Sequence, residues 1–478
     1  MPSLSSVIAI AIALLLVACG EKNPNFCEGA DCDSIDASPD SPPITCTGNG
    51  PDPSCPAATP VCAGGQCTGM CTSDADCTGR PATEAVCHMA SGACVQCDET
   101  DVQATPMQAE DECPAPNLAV CDGGTHTCRA CEDHTECFSG VCDAGTCVAQ
   151  ANVIYLTPMA EGGTDGGMND CLTPSTGCLT LHHAIGRLTA TRKYIHFKPS
   201  ATPYPARNNM DRADFDGVTA HVIGYGAEVR RGAADGEVIE IRGGSNVTIE
   251  GLKIANAINT GSGSGIRMSG STLNLVEVIV DNNDDRGVDA TGGGTLSVRR
   301  SVISNNSRGG ILFNGVDVVL VNNFITGNGD LSLSDVGGVS LSISGTSSTI
   351  EFNTIAGNLT GTGTAHGLIC TNTAAAQVVR NNIVTSEANR AQASGACTHE
   401  YTLFGGPGTA PTGTGNMNIA DPAMFMFVSG SDYHLQPGSI AAGKAQSTSL
   451  VGDSLFDIDG DSRAQGAATV DVGADEIP

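Results

Sequence analysis

Tryptophan is absent from the 478 residues, and aromatic side chains make up only 4% of them. A processive sugar cleft built on stacked rings needs more flat side chains than this chain supplies. Positive charge is scarce as well: 22 Lys and Arg stand against 52 Asp and Glu, for a net charge of −30. That balance argues against nucleic acid as a partner and against direct attraction to anionic headgroups. It suits a soluble extracellular surface. Long apolar runs are missing too, since the run from Val7 to Val17 is too short to span a bilayer. What the chain has in quantity is glycine, 60 residues, and cysteine, 23 residues.

The glycines sit in a repeat. From Gly236 to about Thr385, two inward-type aliphatics five residues apart return every 22 to 30 residues: Ile249/Ile254, Leu275/Val280, Val298/Ile303, Leu320/Ile325, Ile350/Ile355 and Val379/Val384. Ahead of each later pair comes Gly plus an aliphatic, at Gly265-Ile266, Gly287-Val288, Gly310-Ile311, Gly338-Val339 and Gly367-Leu368. Each unit supplies three short strands and cannot bury its apolar side alone, whereas stacked units form a continuous core. The pattern predicts an all-β fold, a right-handed parallel β-helix solenoid. Asparagines at 256, 282, 305, 328 and 358, and again at 323, 353 and 382, mark tight corners. Asn tolerates left-handed backbone and can bond to its own kind one coil away. A β-sandwich with Asn in hairpin turns is the alternative, but it would not keep the five-residue offset through six units.

Residues 1–19 have the apolar core of a signal peptide and end in Leu16-Val17-Ala18-Cys19. This ending resembles the bacterial lipobox, which implies cleavage before Cys19 and a diacylglycerol on its thiol. The departure is that no Lys or Arg precedes the apolar run, and ordinary secretion is the alternative. Gly20 rather than Asp after the cysteine leans, by the same resemblance, towards the outer membrane. Residues 20–45, rich in Pro, Asp and Ser, carry too little apolar material to fold and read as a tether.

Residues 46–150 hold four groups of four cysteines: 46, 55, 62, 67; 71, 77, 87, 94; 97, 113, 121, 128; and 131, 137, 142, 147. Valine precedes the third cysteine of every group, at Val61, Val86, Val120 and Val141. Units with so little core need cross-links, so disulfides are expected, with Cys27 and Cys32 making the count in this region even. Spacing leaves the pairing open. Zinc at Cys94-x2-Cys97 and Cys128-x2-Cys131 is the alternative. The pattern resembles Cys-rich repeats of bacterial surface lipoproteins.

The solenoid is expected over 151–425 and a C-terminal capping segment over 426–478. Thr180 as N-cap and Leu179, Leu181, Ala184, Ile185 and Leu188 at helical spacing predict a helix laid over the open first coil. Cys171 and Cys178 are expected to close a small loop. Cys370 and Cys397, one coil apart, would sit near disulfide range on adjacent strands. The stretch IYLTP…CLTLHHAI and the closing motifs DYHLQPGS, DIDGDSR and VDVGADE resemble pectate-lyase-like β-helix proteins over 152–478. The resemblance implies fold more than activity, because that fold hosts lyases, hydrolases, epimerases, adhesins and scaffolds.

Alternation along the strands places Glu240, Arg267, Asp289, Leu312, Ser340 and Ile369 in one outward row. Glu240 and Asp289 would stand about 9.6 Å apart, near the spacing of an inverting glycosidase pair. A self-neutralising acid–base ladder is the plainer reading, since neither carboxylate has an evident desolvating neighbour. Asp284, Asp285, Arg286, Arg308, Asp335 and His366 form a second candidate cluster at the corners. His366-Gly367 and Asp284-Asp285 match only fragments of the polygalacturonase motifs. No cofactor or metal is expected, with calcium at Asp457-x-Asp459-Gly-Asp461 as the one alternative. Taken together, these features lead to the expectation of an exported surface lipoprotein that binds or displays, its partners the outer membrane and a polysaccharide or other surface. The alternatives are a polysaccharide lyase or hydrolase and a purely structural envelope protein.

Overall fold

The computed structural model describes Cys46 and residues 50–477, apart from 64–65, 99–112, 114, 119, 208–211, 232–235, 259–262, 333, 343–347, 372–376, 387–390, 408–409, 447–449, 451 and 464–468. The signal peptide, Cys19, Cys27, Cys32 and the tether lie outside these residues. The chain divides into two compact units, 1–130 and 131–478. The break therefore falls after the third cysteine group, and the fourth belongs to the same unit as the solenoid.

Every group pairs its first cysteine with its third and its second with its fourth. In the first unit the bridges are 46–62 and 55–67, 71–87 and 77–94, 97–121 and 113–128. The third and fourth cysteines face each other across a short hairpin, as Cys87 does Cys94 and Cys121 does Cys128. The valine before the third cysteine opens that hairpin strand. Cys131–Cys142 and Cys137–Cys147 repeat the scheme in the second unit.

The second unit is a parallel solenoid with three faces. Face 1 includes Ile239–Arg242, Gly309–Asn314 and Val339–Ser342; face 2 includes Asn246–Glu250, Asp317–Val321 and Ser348–Glu351; face 3 includes Lys253–Ala255, Phe324–Thr326 and Thr354–Ala356. The five-residue offset joins face 2 to face 3. Ile249, Leu275, Val298, Leu320, Ile350 and Val379 stack in register on face 2. Ile254, Val280, Ile303, Ile325, Ile355 and Val384 do the same on face 3. All are buried in one core, the aliphatic lining the repeat predicts.

Asparagine works in two separate ways. Asn283, Asn306, Asn328 and Asn358 form a buried ladder, each Nδ2 donating to the next Oδ1 at 2.8, 2.9 and 3.0 Å. Asn323, Asn353 and Asn382 form a second, with both steps at 2.9 Å. Asn256, Asn282 and Asn305 hold left-handed backbone, with φ of 59°, 55° and 53°, and on the outside Asn282 Nδ2 also donates to Asn256 Oδ1 at 2.9 Å. Thus in the early coils the ladder is carried by the residue after the expected one. The leading glycines make room for it: a Cβ on Gly287 would stand 2.8 Å from Asn306 Nδ2 and 2.6 Å from Ile303 Cγ2.

The helical cap is small. Within the stretch 179–188 the α-helix runs from Leu181 to Ile185, with the Thr180 side chain accepting from the His183 N–H and Gly186 at its C-cap. Leu181, Ala184 and Ile185 nevertheless enter the solenoid core. The expected C-terminal cap does something different from closing an end. It runs back along the outside of face 3, bonding at Asn322, Thr354 and Asn381 on successive coils. Phe324, Ile383 and Leu403, whose side chains point outward from face 3, are buried for that reason.

Candidate functional site

Face 1 carries the row expected from alternation. Glu240 pairs with Arg267, Arg267 with Asp289, Asp289 with Leu312, Leu312 with Ser340, and Ser340 with Ile369. The ion pairs, however, do not follow the row. Glu240 Oε2 lies 2.5 Å from Arg212 and 3.6 Å from Arg242, not against Arg267. Arg242 also reaches Asp214 at 2.8 Å and Asp216 at 3.0 Å. Glu240 thus belongs to a closed network at the N-terminal end of the face. Its partners Arg212 and Arg242 went unnoticed in the sequence because one lies a coil away and the other two residues on, on the same outward side.

The corner cluster and the row meet at Arg286. Its Nη1 stands 3.5 Å from Asp289 and 4.0 Å from Asp285, while its Nη2 donates to both oxygens of Asp335 at 3.1 and 3.0 Å. Arg308 lies 3.7 Å from Asp285. They converge because the strand Arg286–Arg299 starts at the corner and places Asp289 on the face three residues later. The guanidinium occupies the space between three carboxylates that a cation would otherwise take. Asp284 remains exposed.

His366 does not join this cluster. It is fully buried, and its Nδ1 accepts the Thr360 N–H at 2.9 Å, so it braces its own loop. Asp289 also departs from expectation, because it does have a desolvating environment. Burial raises its pKa above the usual carboxylate value, against the pull of Arg286 and Arg267. Its Oδ1 is buried and without a hydrogen bond among the described residues. Arg267 beside it is exposed and makes no ion pair among those residues. Two positions further along each strand runs a second column, Ser269, Thr291, Asn314, Ser342 and Thr371, all at least partly exposed.

Chemically, the face offers the exposed Arg267 guanidinium, an Asp289 oxygen without a hydrogen bond among the described residues, and a file of hydroxyl and amide groups about 4.8 Å apart. Hydroxyl and amide groups of this kind can both donate and accept hydrogen bonds. The loop at Asp457 is committed to its own fold: Oδ1 accepts the N–H groups of Asp459 and Asp461 at 3.0 and 2.8 Å, and Oδ2 that of Glu476 at 3.3 Å.

The bridges Cys171–Cys178 and Cys370–Cys397 are present, the latter with Cα atoms 5.7 Å apart. Two clefts beside the C-terminal segment were not foreseen. One, of 820 Å³, lies between the edge of face 3 and Phe427 and Tyr433. The other, of 440 Å³, lies between face 2 and residues 452–454. The signal for both was the apolar character of face 3 on its outer side, at Phe324, Ile383 and Leu403, which announces a covering layer.

Residues 237–403 match the family model described as "Right handed beta helix region", a description that agrees with the parallel solenoid. Among solved structures, the chain is similar to that in "Crystal structure of pectate lyase Pel9A", with 15% identity, a TM-score of 0.40, and coverage of 68% of this chain and 96% of that one. No curated protein matches the sequence.

Proposed function

We propose that this is an exported, lipid-anchored surface protein whose β-helix binds polysaccharide along face 1 without cleaving it. The observation that carries the reading is the juxtaposition of Arg267, exposed and unpaired among the described residues, with the unfilled Oδ1 of Asp289, beside the column Ser269–Thr371. Against turnover, Glu240, the other carboxylate of the row, is engaged by two guanidiniums. Export is supported by the disulfide bridging of every complete cysteine group, which needs an oxidising compartment. The anchor rests on the lipobox-like Leu16–Cys19.

The test is a glycan array with the full chain, run in parallel with assays for reducing ends and unsaturated uronates. Binding without product, weakened in Arg267→Ala and Asp289→Asn, is the expected result. A second reading, a lyase or hydrolase, draws on the raised carboxyl of Asp289. Product release that disappears in Asp289→Asn would replace binding with catalysis. Neither binding nor product would leave a structural envelope role. For the anchor, metabolic palmitate label is expected on the wild type and absent from Cys19→Ala.

A further inference from the structure

The 440 Å³ cleft on face 2 is separate from the charged row on face 1. Its size falls within the range of small-molecule sites, about 300–1,000 Å³. Two register columns make its floor. One runs Arg299, Val321, Glu351, Arg380 and the other Val319, Thr349. The lip is formed by residues 452–454 of the returning C-terminal segment, where Asp453 bonds to Arg299.

Glu351 is the unusual group. Only 8% of the residue is exposed, yet its carboxylate accepts no hydrogen bond among the described residues, and the nearest cation, Arg380 Nε, stands 3.7 Å away. Glu351 lines the cleft, so a carboxylate without a protein donor takes its hydrogen bonds from whatever fills that space. Burial raises its pKa in spite of Arg380 and Arg463. The missing donor is one that a ligand in the cleft can bring.

The rest of the lining narrows the class. Cations and anions are balanced, with Arg299 and Arg380 against Glu351 and Asp453, so a strongly charged ligand of either sign would meet a like charge. Thr349 is exposed, and Val319 and Val378 offer methyl groups beside it. A group with adjacent hydroxyls can donate to Glu351, accept from Arg380 and lay its C–H face on the valines. We propose that this cleft binds a neutral sugar of one or two rings, Glu351 and Arg380 gripping a vicinal diol. Its floor needs the stacked coils and its lip the C-terminal segment, so the site exists only in the folded whole.

Saturation-transfer NMR on the full chain tests this, with glucose, galactose, mannose, xylose, maltose, cellobiose and galacturonate as probes. At least one neutral sugar is expected to receive saturation from the wild-type protein. The signal should vanish in Thr349→Phe, which fills the cleft from an exposed strand position and keeps the fold, as thermal unfolding would verify. Glu351→Gln should weaken binding about tenfold, the loss of a charged hydrogen bond. Thr349→Phe should leave glycan binding at face 1 unchanged, which separates the two sites. If no neutral sugar binds, if galacturonate binds as well as its neutral counterparts, or if Thr349→Phe binds like the wild type, the proposal falls.

Discussion

Arg463 lies over the ring of Phe352, its Cζ 4.4 Å from the centroid, and is completely buried. The one side chain comes from the C-terminal segment and the other from the corner between faces 2 and 3. The guanidinium also donates to Gly473 O at 2.8 Å, Glu476 Oε2 at 3.1 Å and Asn322 Oδ1 at 3.2 Å. Burial lowers the pKa of this guanidinium, and the acids around it, Glu476 first, offset that only in part. A long segment is thereby fixed to the outside of the solenoid through one buried cation. Arg463→Ala strands Glu476 without its partner, and a loss of about 3–5 kcal/mol is expected. Urea unfolding followed by circular dichroism measures it.

The inner asparagine ladders make a second prediction. Asn353 donates to Asn382 and to Leu320 O, and its Oδ1 accepts from Asn323. Asn353→Ala removes all of these from a dry interior and should cost about 1–3 kcal/mol or more. Asn314→Ala, on the exposed side of face 1, should stay within about 0.5 kcal/mol of the wild type. Equal effects for the two would mean that the ladder contributes nothing.

Cys370 and Cys397 close a loop of 27 residues. Chain-entropy reasoning gives about 3.5 kcal/mol for a loop of that length. The Cys370→Ala/Cys397→Ala double variant should lose stability on that scale in urea unfolding followed by circular dichroism.

Acidity should act on the C-terminal segment with a definite sign. Burial pushes Asp475 up to about 6, against the Leu435 N–H and the charge of His434. Burial works against the charged form of His434, but its bond to Asp432 and the charges of Asp459 and Asp475 lift its pKa. A folded pKa above the unfolded one stabilises at low pH, and that contribution is lost as pH rises through the folded value. Asp475 should therefore contribute on the order of 3 kcal/mol near pH 4 that has gone by about pH 7. In Asp475→Asn that part of the stability–pH curve should flatten.

Glu250 should behave in the opposite way. Burial works to raise it, but hydrogen bonds from His134 and His221 prevail and hold it far below the usual carboxylate range. His221 lies 2.8 Å and His134 3.4 Å from the same oxygen. Its contribution is present above the ordinary carboxylate pKa and is lost only as pH falls through the depressed value. Because His134 belongs to the fourth cysteine group, Glu250→Gln should make residues 131–147 more accessible to limited proteolysis at neutral pH. Unchanged cleavage would show that Val141, packed with Val153, Tyr155, Tyr194 and Ile223, holds the module without it.

Much of this was legible in the chain. The inward aliphatics, their five-residue offset and the leading glycines specify the solenoid, because stacking identical coils is how such a repeat buries its apolar side. Strand alternation likewise gave the order of the face 1 row from Glu240 to Ile369. It did not give the ion pairs. A long guanidinium reaches whichever carboxylate its rotamer allows, so Glu240 went to Arg212 and Arg242, and Arg286 drew Asp335 from a distant corner. His366 looked like a surface group beside a glycine, and only packing shows that it faces inward.

By itself, then, the amino-acid sequence determined the winding, the corners and the cysteine modules, since each depends on residues a fixed number of positions apart. Tertiary structure alone decided which cysteines pair, where the fourth module packs, and that the last fifty or so residues return along face 3 to form the lip over Glu351. Those are contacts between residues far apart in the chain. They are fixed by shape and burial, which no local spacing records.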